Sequence, residues 1–177
     1  LIDAAGRGGL GAVMGSKNLK AVAAFGEKLP PVANEEGVSR LRKWMLDNIT
    51  ILDPLRDLGT TPAIPRYAEI AELPVNNFRD TDFPNVNLIS AQYIKETIRT
   101  KMDGCYACPI RCKKVVDFEG YDSAYGGPEM ETIVAFGSNC GIDDIETISS
   151  AHALCNALSL DTISTGGTIA FATECAE

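Results

Sequence analysis

The segment Cys105-Tyr-Ala-Cys108-Pro-Ile-Arg-Cys112 places three thiols within eight consecutive residues. Spacers of two and three residues let one short piece of backbone aim three sulfurs at a common point, as an iron–sulfur cluster or a zinc ion requires. A disulfide would leave one thiol over. Three buried apolar cysteines are the bland alternative, but Gly104 and Pro109 mark the run as a loop, where such packing is unusual. Zinc competes harder, because Cys-x2-Cys is its common half-site. No second pair at similar spacing exists, however: Cys140, Cys155 and Cys175 stand alone, and His152 is the single histidine. A cluster with three local ligands and a distant fourth fits the pattern better.

Helical signals surround this loop. Before it, Ser90 is placed to cap a helix over Ala91–Met102 with Gly104 closing it. Asn34 followed by Glu35 and Glu36 opens an amphipathic helix on which Val38, Leu41, Met45 and Ile49 recur at helical spacing, with Trp44 read as a packing residue. A short helix is expected from about Ile64 to Leu73. The Pro-, Asn- and Asp-rich stretch from Pro74 to Leu88 is expected as a long loop, of the kind that is often functional or covers a site. After the thiols, Val115–Phe118 reads as a strand, and Pro128 with Glu129 and Glu131 reads as the start of a helix. Ile142-Asp143-Asp144 opens a further helix that keeps its period through His152 and Cys155. Leu160-Asp161-Thr162 interrupts it before Thr168–Cys175 resumes, and Asp161 and Thr162 could serve simply as a cap.

The amino-terminal part differs in character. Gly6-Arg7-Gly8-Gly-Leu10-Gly11 lets the backbone approach a bulky anionic ligand, and Arg7 offers a fork for phosphate. Its spacing is not that of a dinucleotide fingerprint. Ala12–Ser16 and Leu19–Phe25 read as two short strands about Lys17-Asn18. The break at Leu29-Pro-Pro-Val-Ala33 then marks a boundary, giving residues 1–30 as the end of a β domain and 31–177 as a helical domain. The expected fold class is mainly α, with a short β segment at the amino end and the thiols in a loop between helices.

Composition narrows the class of function. A chain of 177 residues with a formal net charge of −8 offers no basic face for nucleic acid. No apolar run approaches the length of a membrane span. Six cysteines in so long a chain do not require a disulfide scaffold, so a reducing cytoplasm is expected. The sequence opens on Leu1 and closes on a helical pattern still running at Glu174–Glu177, and it is expected to be an internal piece of a larger protein.

Four segments together resemble the tungsten-dependent aldehyde ferredoxin oxidoreductase family: Gly6–Lys20, the Cys105/Cys108/Cys112 loop, Gly127-Pro-Glu-Met-Glu-Thr132 and Cys155–Ser164. The resemblance implies two pterin dithiolenes on one tungsten, magnesium at their phosphates, and a neighbouring [4Fe-4S] cluster held in part by Cys105, Cys108 and Cys112. It puts Arg7 and Gly8 at the pterin phosphates. It also matches Asn156, Leu160, Asp161 and Thr162 to a pterin-binding motif, Asp-x-x-Gly-Leu-Asp, with Asn156 in place of the first Asp and Ser159 in place of the Gly. Glu129 and Glu131 fall in the segment that supplies a carboxylate beside the metal, Glu131 being favoured. The family's catalytic histidine and fourth cluster cysteine lie beyond this sequence, and His152 substitutes for neither.

The implied reaction oxidises a small aldehyde to a carboxylic acid and passes electrons through the cluster to ferredoxin or another electron-transfer protein. A homodimer is compatible with this reading, and the piece alone is expected to be inactive. The alternatives are an active-site subunit of a related ring- or carboxylate-reducing complex, and a non-catalytic iron–sulfur or zinc module for electron transfer or structure.

Overall fold

The computed structural model describes residues 2–28 and 30–177, so that Leu1, and Leu29 within the expected break at Leu29–Ala33, lie outside the described residues. Eight α-helices, five short 3-10 helices and one two-stranded antiparallel sheet make up the regular structure of the described residues. In chain order the helices are α1 (Leu10–Ser16), α2 (Glu35–Asp47), α3 (Asp53–Leu58), α4 (Ile64–Glu69), α5 (Ala91–Thr97), α6 (Met130–Phe136), α7 (Ile145–Ala157) and α8 (Thr162–Ala176), with β1 (Arg99–Asp103) and β2 (Lys113–Val116) between α5 and α6. The fold is mainly α, as expected. The strands, however, are the two that flank the thiol loop.

The core is built by α4, α5, α6, α7 and β2. Ile64, Ile94, Val116, Ile133 and Ile148 are buried within it, and Cys155 is a packed apolar side chain on α7. Helix α6 lies against both α7 and α8. The α6–α8 approach is close because Gly166 presents no side chain: a Cβ there would stand 2.6 Å from the Ala135 carbonyl oxygen. Caps fix several starts. The side chains of Asn34, Ser90, Asp144 and Asp161 accept backbone N–H bonds at the first turns of α2, α5, α7 and α8, which satisfies amides that have no partner inside the helix.

Several boundaries differ from expectation. Ala12–Ser16 belongs to α1 and Leu19–Phe25 forms no strand; Leu10, Ala12 and Met14 are good helix formers. Helix α4 stops at Glu69 because Ala71 takes a left-handed conformation, φ 57°, and the Glu72 and Leu73 amides fold back onto the Tyr67 carbonyl. Helix α5 stops at Thr97, and the residues expected to extend it pair with 113–116 in a hairpin. Thr97, Ile98 and Thr100 are β-branched, and pairing across the loop outweighs their modest helical preference. The thiol loop therefore joins two strands, not two helices. Gly104 is not a helix cap; it sits where a Cβ would approach the Arg111 Cα to 2.9 Å. Helix α8 begins six residues earlier than expected, at Thr162, with Asp161 as its cap.

Helix α2 forms as predicted, but its apolar side is not covered: Val38, Leu41 and Trp44 are 54%, 67% and 60% exposed. Trp44 is thus not a packed residue in this structure.

Candidate functional site

The predicted site residues fall into three neighbouring places. The first is a polar cleft of about 210 Å³ lined by Ala4, Gly6, Arg7, Thr132, His152, Asn156, Leu160, Asp161 and Thr162. Arg7 donates from Nη1 to Asp161 Oδ2 at 2.7 Å, joining residues 154 positions apart. Asn156 accepts the Ala4 amide at 2.7 Å and donates to the His152 carbonyl at 3.0 Å. Gly6 is required by the approach of the two segments, since a Cβ would meet the Leu160 carbonyl oxygen at 2.4 Å. Gly8 has φ 90° and open space on the side where a Cβ would be. Five of the six predicted cofactor residues line this one cleft; Gly8 lies one residue beyond Arg7.

Asp161 serves both Arg7 and the start of α8, where it accepts the Ile163 and Ser164 amides at 3.3 and 3.2 Å and the Ser164 hydroxyl. Desolvation opposes its ionisation, but the bonds from Ser164, the Arg7 charge and the Ile163 amide hold its pKa below the usual carboxylate value. His152 is buried, with Nε2 3.1 Å from the Tyr125 carbonyl, and burial lowers its pKa. Thr132 and Thr162 meet through their hydroxyls at 2.8 Å on the cleft wall. Sequence reasoning gave neither residue a role: His152 has no local motif, and in the segment that ends at Thr132 the two glutamates drew the assignment.

The second place is the thiol loop, 104–112. It closes with the Cys108 amide bonded to the Cys105 carbonyl at 3.0 Å, and both Ala107 and Arg111 are left-handed at φ 56°. Cys105 is exposed and Cys108 and Cys112 are half-buried; all six cysteines of the chain are free. The Arg111 and Ile110 amides bond the Cys108 sulfur and lower its pKa, which favours the thiolate that iron needs. Burial raises the Cys112 thiol, and the Glu129 charge raises it further. Among the described residues no three His, Cys, Asp or Glu side chains are arranged around a point that would hold a single metal ion. A polynuclear cluster gives each thiolate its own iron, so its ligands stand farther apart than those of one ion. The donor set, three thiols with amides directed at one sulfur and Lys113 and Lys114 beside them, fits a negatively charged thiolate cluster.

The third place separates the two glutamates. Glu129 sits just before α6, where its carboxylate accepts from the Thr60 hydroxyl and lies 3.7 Å from Lys114 Nζ. Glu131, exposed in the first turn of α6, lines a pocket of about 420 Å³ whose other walls include Tyr67, Pro74, Phe78, Met130, Val134 and Ile163. Pro74 and Phe78 come from the stretch expected as a long loop. The thiols, Asp161 and a glutamate therefore do not share one cavity. Residues 131 and 132 face different hollows, as do 162 and 163, on either side of the Thr132–Thr162 contact.

Residues 36–177 match the family model described as aldehyde ferredoxin oxidoreductase, domains 2 and 3. The chain belongs to the aldehyde ferredoxin oxidoreductase family. It is 39% identical over 176 residues to the tungsten-containing aldehyde ferredoxin oxidoreductase of Pyrococcus furiosus, covering 97% of this chain and 29% of that protein. The enzyme of that name from Thermococcus kodakarensis is 37% identical over 176 residues, with the same coverage. The WOR-like subunit of an aliphatic sulfonate oxidoreductase from P. furiosus is 32% identical over 181 residues, covering 98% of this chain and 29% of that subunit. The chain thus spans 29% of the length of these relatives.

Proposed function

We propose that the chain is part of a tungsten–pterin oxidoreductase that converts aldehydes to carboxylic acids and delivers electrons through a [4Fe-4S] cluster to ferredoxin or a similar carrier. The balanced reaction is R-CHO + H2O to R-COOH with two protons and two electrons, and the electron carrier takes up the electrons. When bound, the tungsten bis-pterin supplies the two-electron oxidation. The observation that supports this reading most is the cleft that unites Arg7 with Asn156, Leu160, Asp161 and Thr162, because segments at opposite ends of the sequence form one polar surface there.

In this reading Arg7 and Gly8 would hold the pterin phosphates with magnesium, while Asn156, Leu160, Asp161 and Thr162 would border the pterin. Arg7 is suited to the task, since its side chain is 64% exposed while its fork is held by Asp161. Asn156 already uses its oxygen on Ala4 and its nitrogen on His152, so it shapes the cleft more than it grips a ligand. Cys105, Cys108 and Cys112 would supply three thiolate ligands of the cluster. Glu131 takes up the proton released on oxidation, because it opens onto an apolar pocket that accepts the organic part of an aldehyde. Glu129 is engaged by Thr60 and Lys114 and is the weaker candidate. No helix among the described residues is long and apolar enough to cross a membrane. A cytoplasmic homodimer is part of the proposal.

The test is metal analysis of the intact protein purified without oxygen. Tungsten and iron together support the enzyme; iron alone identifies an electron carrier, and zinc alone a structural site. The sulfonate-oxidoreductase relative, itself a subunit, favours a second reading as the active-site subunit of a larger complex. Co-purifying subunits would separate the two.

A further inference from the structure

Lys114 is the largest side chain among the fully buried residues, 2% exposed, in a chain whose other lysines keep contact with water. It follows the last thiol by two residues on β2, yet its side chain runs into the protein, not along the loop. Two glycines from distant segments make its passage. A Cβ at Gly127 would meet Lys114 Cγ at 2.9 Å, and one at Gly59 would meet Lys114 Cε at 3.3 Å, Nζ at 3.4 Å and the Cys112 carbonyl oxygen at 2.8 Å. Gly59 also needs its φ of 70°. At the end of the passage Nζ donates to the Pro128 carbonyl at 2.7 Å and stands 3.7 Å from Glu129 Oε2. The same carboxylate oxygen accepts from Thr60, whose hydroxyl oxygen in turn accepts the Met130 amide at 3.1 Å.

An ammonium buried this deeply is costly unless it is paired and hydrogen-bonded, and both conditions are met here. A merely apolar tie would need neither. We propose that Lys114 is a positioning residue, an internal ion-paired tie that fixes the thiol loop against the Pro128–Glu131 segment and sets the electrostatic field at the iron cluster. The proposal rests on the cluster reading given above. Because the field inside the protein is weakly screened, a positive charge buried behind the loop, on the residue two beyond the last thiol, favours the more negative, reduced cluster and raises its reduction potential; the Glu129 carboxylate acts in the opposite sense. Lys114 and Glu129 therefore work as a balanced pair between the loop that would carry electrons and the helix start that presents Glu131.

The experiment is a redox titration of the cluster in the intact protein, followed by electron paramagnetic resonance, for wild type, Lys114→Met, Glu129→Gln and the double variant, with iron content and thermal midpoint measured alongside. Lys114→Met is expected to lower the midpoint potential, Glu129→Gln to raise it, and the double variant to return it toward wild type, each with iron retained. A tie that is only mechanical would leave both potentials unmoved in iron-loaded protein, which overturns the proposal. Should Lys114→Met fail to fold, Glu129→Gln decides alone, since it removes only the partner charge. Wild-type protein without iron overturns the cluster reading and the proposal with it, whereas iron-loaded protein with unmoved potentials overturns the proposal alone.

Discussion

Ser159 occupies a left-handed position, φ 57°, immediately after α7. The Leu160 amide bonds back to the Cys155 carbonyl at 2.8 Å and the Ser159 amide to the Asn156 carbonyl at 3.2 Å, a helix-ending pattern in which glycine is the usual residue at this place. In the motif match that the resemblance implies, this is the glycine position. Ser159→Gly is expected to stabilise the protein by about 1 kcal/mol, seen as a higher urea midpoint with an unchanged slope. Glu131 makes the second residue-level case. Under the proposed function, Glu131→Gln keeps the shape of the pocket but cannot accept a proton, so kcat for aldehyde oxidation by the intact protein is expected to fall about 10²- to 10⁴-fold while its metal content stays at the wild-type value. An unchanged kcat would return the role to another group.

At the scale of elements, the site depends on how closely α6 and α8 approach. Gly166 stands over the Ala135 carbonyl, and the Thr132–Thr162 contact lies in the same interface. Gly166→Val is expected to force the helices apart at a cost of about 1–3 kcal/mol, whereas Gly167→Ala, where a Cβ meets nothing within 4 Å, is expected to be neutral or slightly stabilising. Thermal unfolding of the two variants side by side checks both. The β1–β2 hairpin makes a related point. Its strands bring Asp103 opposite Lys113 and so close the thiol loop at its base, while the Lys113 side chain pairs with Asp3 and ties the amino-terminal segment to the same base.

For the molecule as a whole, acidity acts through His152. Burial holds its pKa below the ordinary 6.5, so the folded protein binds a proton there less readily than the unfolded chain. Between 6.5 and the lower folded value unfolding takes up a proton, and stability falls as the pH drops through that window while being fully present above it. The urea midpoint is expected to be lower at about pH 5.5 than at about pH 7.5, and His152→Gln should flatten most of that difference. The lowered carboxylates Asp57, Asp103 and Asp161 make stability depend on pH only below their ordinary 3.8, and Glu177 only below its ordinary 4.5. In each case the stabilisation is present above the ordinary value and lost as the pH falls through the folded one.

What the amino-acid sequence determined by itself is local: caps at Asn34, Ser90, Asp144 and Asp161 act over three or four residues, and the three thiols lie within eight, so short-range chemistry makes them readable. The mainly helical class followed from the same periodicities. Tertiary structure alone decided that Arg7 meets Asp161, that α5 yields to a hairpin and that α2 leaves Trp44 exposed. It also decided that Glu129 and Glu131, two residues apart, serve different surroundings. Neither spacing nor propensity encodes these outcomes, because each depends on a partner far along the chain: Lys114 is buried only because Gly59 and Gly127 leave it a path and Pro128 and Glu129 receive its charge.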